Sequence, residues 1–449
     1  MSDAEAGSRL PRRTLLSYAA ANVGYGMIDL PLTVLLLFFY ANVVKLAPHL
    51  VGIGLLIGKT WDAVTDPTMG YISDRTRSVL GRRRPYFLVA AVPLGISFFM
   101  MWHPVAPNHP FANLVIAYMA LYTMLTLFLV PYGSLSAELS PDYDERTRIQ
   151  GYRESAHIIG LLIGAFSPLI VDKFSSPRTG YSVVAAIFGA ALTIGVLITF
   201  FGVRENPAFQ RKPRVGAWRG VKLVASNRYF IRLLAAFILG NIAGIMPGNL
   251  VPFALRYWLK AGEQNFTFVL LAYLGTAVCA LPFWVRLSSK IGKNWAYFVA
   301  YIWSAVALGS VFFLRPGSFV PLAVVFSFAG AAYGAHWMLP VSILADIIDY
   351  DELRSGERRE GAYFGIWTFV LKVTVAGGAA IVGVVLTKIG FVPDQEQSAQ
   401  TIFWMRFLMA CVPSAMYLVA ALSLLRFPFT RDIHRNVQQT LRQRAADTA

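Results

Sequence analysis

Reactive chemistry is scarce in this sequence of 449 residues. Its two cysteines, Cys279 and Cys411, sit inside apolar runs with neither metal-ligand spacing nor a disulfide framework, so they leave the redox compartment open. There is no Gly-rich phosphate loop with its lysine, no His-Glu-x-x-His and no nucleophile–base pair. These gaps count against an enzyme, and no cofactor is implied. Charge is sparse as well: 14% of residues are charged against 56% hydrophobic, far too apolar for an ordinary soluble domain. Acids are fewer than bases, 24 against 40, which leaves a net charge of +16. In a soluble chain that excess would suggest nucleic acid. Here the bases fall in short loops between apolar runs, where orientation in a membrane explains them better. The expected surroundings are therefore a lipid bilayer, with no nucleic-acid partner. Arg12-Arg13 precede an apolar stretch running to about Val44, longer than the apolar part of a signal peptide, and so read as the start of a first membrane helix.

What the sequence does have is long apolar segments. Helices are predicted at 14–44, 49–73, 86–103, 111–140, 149–173 and 180–203, then at 229–258, 264–288, 294–314, 319–348, 362–389 and 401–426. Loops after every second helix are basic, and those on the opposite side, such as Trp102–Pro110, carry few positive charges. The positive-inside rule then puts both termini in the cytoplasm. The reading is an all-α membrane protein of twelve transmembrane helices. It divides into an N-terminal six-helix half (1–203), a basic cytoplasmic linker (204–228), a C-terminal six-helix half (229–426) and a cytoplasmic tail (427–449).

Two matches support a repeat of the halves. Asp142-Tyr143-Asp144-Glu145 follows the fourth helix and Asp349-Tyr350-Asp351-Glu352 the tenth, while Gly81-Arg82 after the second helix answers Gly292-Lys293 after the eighth. Two such halves describe the major facilitator architecture, in which the site lies near the midplane. On the second helix, Gly58-Lys59-Thr60-Trp61-Asp62-Ala63-Val64-Thr65-Asp66-Pro67 puts two carboxylates on one helical face with the Thr65 hydroxyl close by. An acid at membrane depth is costly unless it meets a partner or faces a cavity. Clustered carboxylate and hydroxyl oxygens suit a hard cation or a proton. The plainer alternative is that basic residues on neighbouring helices neutralise both acids and hold the bundle together.

The sequence resembles the glycoside–pentoside–hexuronide:cation symporter family (melibiose permease-like) of the major facilitator superfamily. Three stretches carry the resemblance: Trp61–Pro67; Val130-Pro131-Tyr132-Gly133-Ser134-Leu135, continuing to Arg153; and Ala345-Asp346-Ile347-Ile348-Asp349-Tyr350, followed by Gly356, Arg358, Glu360-Gly361 and Lys372. The resemblance implies that Asp62, Thr65, Asp66 and Thr126 bind the cation, and that Lys372 couples cation to substrate. Lys372 lies well inside an apolar helix, so an anionic partner or snorkelling to the interface is required of it. On the substrate side the resemblance implies Tyr132, Arg153 and Trp337, and Glu154 is available as a further acceptor. The family's acids on helices one and four are replaced by Gly26 and Leu129, and its tryptophan by Gly133; Asp29, one turn from Gly26, is available instead.

The same motifs resemble the sodium-dependent lysophosphatidylcholine symporters, so an anionic amphiphile is the alternative substrate. Arg153 would then meet the anion, unless it pairs with Glu154 or Asp144. Asp74, Arg75, Arg82 and Arg83 are read as a gating loop pairing with acids such as Asp142 or Asp349, although positive-inside orientation accounts for the arginines almost equally. His336 either titrates in a cavity or packs. Gly160, Gly164, Gly377 and Gly378 are read as points of close helix approach. The expected function is a monomeric, cation-coupled symporter of a small organic solute in a bacterial inner membrane. The coupling ion is sodium or a proton, with no metal site beyond a sodium at Asp62 and Asp66.

Overall fold

The structure is a computed structural model that describes residues 10–106, 108–139, 143–205, 224, 226–317, 319–355, 360–425, 437 and 440. Most of the predicted linker, the tail, Asp142, Gly356 and Arg358 lie outside the described residues. The chain divides into two compact units, Met1–Pro213 and Arg214–Ala449.

Within the first unit the long helices are α1 (Arg12–Val34), α2 (Pro48–Arg75), α3 (Arg84–Trp102), α4 (Pro110–Glu138), α5 (Tyr143–Gly164) and α6 (Pro177–Gly202). Within the second they are α7 (Arg228–Phe253), α8 (Phe266–Ile291), α9 (Lys293–Ser310), α10 (Val320–Ser355), α11 (Glu360–Lys388) and α12 (Ala399–Leu425). Proline sits in the first turn of α2, α3, α4 and α6, where its missing N–H costs nothing and its fixed φ starts the helix. Pro31 removes a hydrogen bond inside α1, and the chain bends by 52° between Arg12–Val34 and Leu36–Val43.

Packing repeats between the units. In the first, α1 packs on α5 and α6, α3 on α4 and α6, and α2 on α4. Adding six to every label gives the principal packing of the second unit: α7 on α11 and α12, α9 on α10 and α12, and α8 on α10. The repeat reaches backbone detail. After α1, Phe39–Val43 form a π-helical turn and Lys45 takes φ +67°; after α7, Ala254–Trp258 do the same and Lys260 takes φ +51°. The Leu46 N–H then reaches the Tyr40 carbonyl and the Ala261 N–H the Leu255 carbonyl, each at 2.9 Å.

Ten described helices are long and apolar enough to span a membrane, and the bent α1 pair makes an eleventh. Helix α2 is not in that set, although the sequence was read as a span there. Its 28 residues suffice in length, but Lys59, Thr60, Asp62, Thr65 and Asp66 fall in little more than two turns and lower its hydropathy.

Three predicted loops are helical. Helix α10 runs to Ser355, so Asp349–Glu352 occupy its last turns; α5 begins at Tyr143, so Glu145 and Arg148 lie on it; and between α8 and α9 only Gly292 intervenes. The predicted boundaries follow the onset of charge. A hydrogen-bond ladder continues into water until a breaker stops it. Gly292, at φ +88° and ψ +154°, is such a breaker, in a region that side-chain-bearing residues avoid.

Close approach was predicted at four glycines, and three behave so. A Cβ on Gly160 would lie 2.8 Å from Gly26 Cα and collide with the Val23 carbonyl; on Gly164 it would lie 2.9 Å from the Met27 carbonyl, and on Gly378 2.9 Å from Ile245. Gly377 meets nothing within 4 Å and makes no such contact. Because the obstacles at Gly160 are backbone atoms, relief requires helix displacement. Gly160→Leu is therefore expected to destabilise the first unit by about 1–3 kcal/mol, read as a lower Tm of the purified protein in detergent. An unchanged Tm would contradict the α1–α5 approach.

Candidate functional site

The site is built on α2 and α4 of the first unit. Asp62 is 3% exposed. The Thr126 hydroxyl of α4 lies 3.1 Å from Asp62 Oδ1 and 2.9 Å from Asp66 Oδ1, and the Thr65 hydroxyl lies 3.3 Å from Thr126. Thr65 also donates to the Asp62 backbone carbonyl at 3.1 Å. The predicted cation set is thus brought together. Thr126 has one proton to donate and two carboxylates in range, so it serves only one at a time. What results is an oxygen-rich cluster of two carboxylates and two hydroxyls, a donor set of the kind that hard cations take.

Neighbours of the acids include groups that sequence reasoning left unassigned. The Lys59 ammonium, one turn before Asp62, lies 4.1 Å from the centre of the Tyr122 ring, and Trp61 Nε1 donates to Thr123 at 2.9 Å. Lys59 was visible in the motif itself; its ring partner four residues before Thr126 had no signal of its own.

Other predicted residues of this unit are placed differently. Arg153 Nε and Nη2 donate to Glu154 Oε1 at 3.1 and 2.8 Å, so the pairing alternative holds. Asp29 faces His157. Tyr132 is 1% exposed, stacks on Tyr18 at 4.4 Å and exchanges hydroxyl-to-carbonyl hydrogen bonds with it at 2.9 and 2.8 Å, which is a packing role. Asp74 and Arg75 end α2, with the Arg75 guanidinium over the Tyr71 ring.

Among the described residues, Glu205, just after α6, is an acid that meets the arginine loop. Its carboxylate accepts from the backbone N–H groups of Arg82, Arg83 and Arg84 at 2.7, 2.6 and 2.9 Å. Arg83 is buried and donates from Nη1 to Ser73, while Arg84 donates to the Phe200 carbonyl at 2.8 Å. Sequence reasoning looked for the partner at Asp142, outside the described residues, or at Asp349, which is helical on α10. It missed Glu205, which lies in the stretch read as linker.

In the second unit, Lys372 lies within α11, and Trp337 on α10 is 50% exposed beside Tyr333. His336 packs: it stacks on Tyr301 and Tyr417 and shares a 2.8 Å hydrogen bond with Ser304. Asp346 receives Lys293 Nζ on both oxygens, at 2.7 and 2.6 Å.

Residues 17–431 match the family model described as MFS/sugar transport protein. The sodium-dependent lysophosphatidylcholine symporter 1 of Gallus gallus is 27% identical over 480 residues, covering 97% of this chain and 90% of its own. YagG of Escherichia coli (strain K12), whose name proposes a glycoside/cation symporter, is 26% identical over 459 residues, covering 98% and 97%. A solved bacterial homologue of the human lysosomal transporter Spinster gives a TM-score of 0.68 over 94% of this chain and 99% of that one. At 13% identity that likeness is one of fold. The fold is that of the major facilitator superfamily, and the protein is an integral multi-pass membrane protein.

The Glu205 clamp is testable apart from transport. Glu205→Gln removes the charge from three charge-assisted hydrogen bonds, each worth about 1.5–3 kcal/mol. Hydrogen exchange at Arg82–Arg84 is expected to speed up by at least about tenfold. Unchanged protection would show that the loop is held elsewhere.

Proposed function

The chain belongs to the MFS/sugar transport protein family, and from that premise we propose that it is a cation-coupled secondary active symporter carrying a sugar, glycoside or uronate by alternating access. The observation that carries this reading is the convergence of Asp62, Asp66 and the Thr65 and Thr126 hydroxyls, with Thr126 in range of both carboxylates. Two ionised carboxylates at membrane depth are costly, and a bound cation offsets both at once. Occupancy then changes the charge of the unit, which lets an ion gradient bias its conformations. Sodium is favoured over a proton because hydroxyl oxygens accompany the acids. A monomer in a bacterial inner membrane, with twelve spans and cytoplasmic termini, completes the proposal.

A sodium-coupled transporter of a lysolipid-like amphiphile is the second reading, favoured by the identity to the Gallus gallus symporter across nearly the whole chain. Against it, the Arg153 guanidinium is already engaged by Glu154 and offers an incoming anion a partly neutralised partner.

Asp62→Asn and Asp66→Asn are each expected to abolish cation-driven accumulation of substrate in proteoliposomes, while energy-independent exchange survives. Full accumulation in both variants would overturn the cation assignment. Coupling is assigned to Lys372, whose hold on an anionic partner weakens when a cation arrives. Substrate affinity and cation affinity are then reciprocally linked. Lys372→Ala should leave substrate affinity independent of the cation. A folded variant with unchanged cation dependence would instead mark Lys372 as a snorkelling residue.

A further inference from the structure

Between the first turns of α1 and the last turns of α6, the surface of the first unit is cut by a groove of about 360 Å³. Small residues make it. Gly202 faces Ser17 so closely that a Cβ on Gly202 would collide with the Ser17 side chain, and neither residue fills the space above the contact. Below it the floor is fixed. The buried Thr199 hydroxyl donates to the Ser17 carbonyl at 2.8 Å, and a Cβ on Gly195 would lie 2.8 Å from the Ala20 carbonyl. The volume is in the range of small-molecule sites, about 300–1,000 Å³.

The groove is amphipathic. Ile194, Ile198 and Phe201 line it from one face of α6, four and three residues apart, and are 56%, 45% and 73% exposed. Large apolar groups left in the open on a membrane helix call for an apolar cover. From Phe201 to Ile194 this wall runs about 10 Å along the helix, away from the end that carries Arg204. Arg13 of α1 lines the groove at that end, exposed and with no hydrogen bond or ion pair among the described residues. The Ser17 hydroxyl, on the same face one turn along, likewise has no partner there. Arg12 and Arg204, both exposed, add two positive charges beside the two helix ends. The neighbouring acid, Glu205, is already engaged by the amides of Arg82, Arg83 and Arg84.

An apolar wall that ends in a cationic rim matches a ligand in which an acyl chain and a phosphate are joined. We infer that the groove seats an anionic glycerophospholipid of the leaflet on the basic side of the membrane. Its phosphate meets Arg13 and Ser17, and one acyl chain lies along Ile194, Ile198 and Phe201. Charge selects the headgroup. Phosphatidylglycerol keeps a net negative charge beside three arginines, whereas the choline of phosphatidylcholine cancels it.

The test uses full-length protein, delipidated in detergent and titrated with phosphatidylglycerol, phosphatidylcholine or inorganic phosphate. Native mass spectrometry counts bound lipid, and hydrogen exchange at residues 13–17 and 198–203 locates it. Phosphatidylglycerol should bind at least about fivefold more tightly than phosphatidylcholine, the ratio that one interfacial arginine supplies. Arg13→Gln should remove that preference and leave phosphatidylcholine binding unchanged. Arg77→Gln removes an equal charge from the exposed loop between α2 and α3 on the same side, and should leave the preference intact. Ser17→Leu, which fills the groove, should cost both lipids their protection of residues 198–203. Inorganic phosphate should displace neither lipid.

Equal affinity for the two lipids, a preference lost as fully in Arg77→Gln as in Arg13→Gln, displacement by inorganic phosphate, or protection confined to other residues overturns the site. Absence of bound lipid overturns it too, and a dimeric mass with these residues protected then assigns the groove to a second copy of the chain. Should Ser17→Leu fail to fold, the two arginine variants, both at exposed positions, carry the test alone.

Discussion

A carboxylate in an apolar helix bundle costs roughly 2.5–3.5 kcal/mol near a membrane helix centre when ionised, and α2 carries two aspartates one turn apart. One hydrogen bond from a hydroxyl to a charged acceptor contributes about 1.5–3 kcal/mol. Thr126 therefore offsets one acid at a time, and other groups of the protein also meet Asp62 and Asp66. Much of the first unit follows from that debt. Helix α4 must come close enough for Thr126 to reach both acids. Gly58 permits this, since a Cβ there would collide with the Tyr118 ring of α4. Trp61 and Lys59 add further contacts along the same seam, to Thr123 and Tyr122.

The two units share a packing plan down to a π-helical turn and a left-handed lysine, yet differ in chemistry. Where the first unit presents acids and hydroxyls, the second buries a cluster of Tyr297, Tyr301, His336 and Tyr417 and locks Asp346 to Lys293. Repetition of the backbone is thus a matter of helix length, turn chemistry and small residues at crossings. Function is written separately, in the side chains each copy places on those helices.

Much of this was legible in the sequence, for identifiable reasons. Apolar length fixes a membrane helix within a few residues, because the bilayer fixes it. That Asp62 and Asp66 share one helical face was legible from their four-residue spacing. Thr126 came only through resemblance, since a lone threonine in an apolar helix carries no signal of its own. Helix ends were misjudged wherever charge was taken to stop a helix, as at Asp349–Glu352. Glu205 and His157 escaped assignment because their partners are backbone amides and a residue more than a hundred positions away.

Packing on α1 rests on a seam of small residues that it shares with α5. The approach that makes Gly26 and Gly160 touch forbids any side chain at position 26, and it continues one turn along, where a Cβ on Gly164 would lie 2.9 Å from the Met27 carbonyl. Asp29 and His157 come within 3.6 Å without closing a hydrogen bond. The small-residue seam thus sets the spacing of α1 and α5, and substituting its glycines would cost stability.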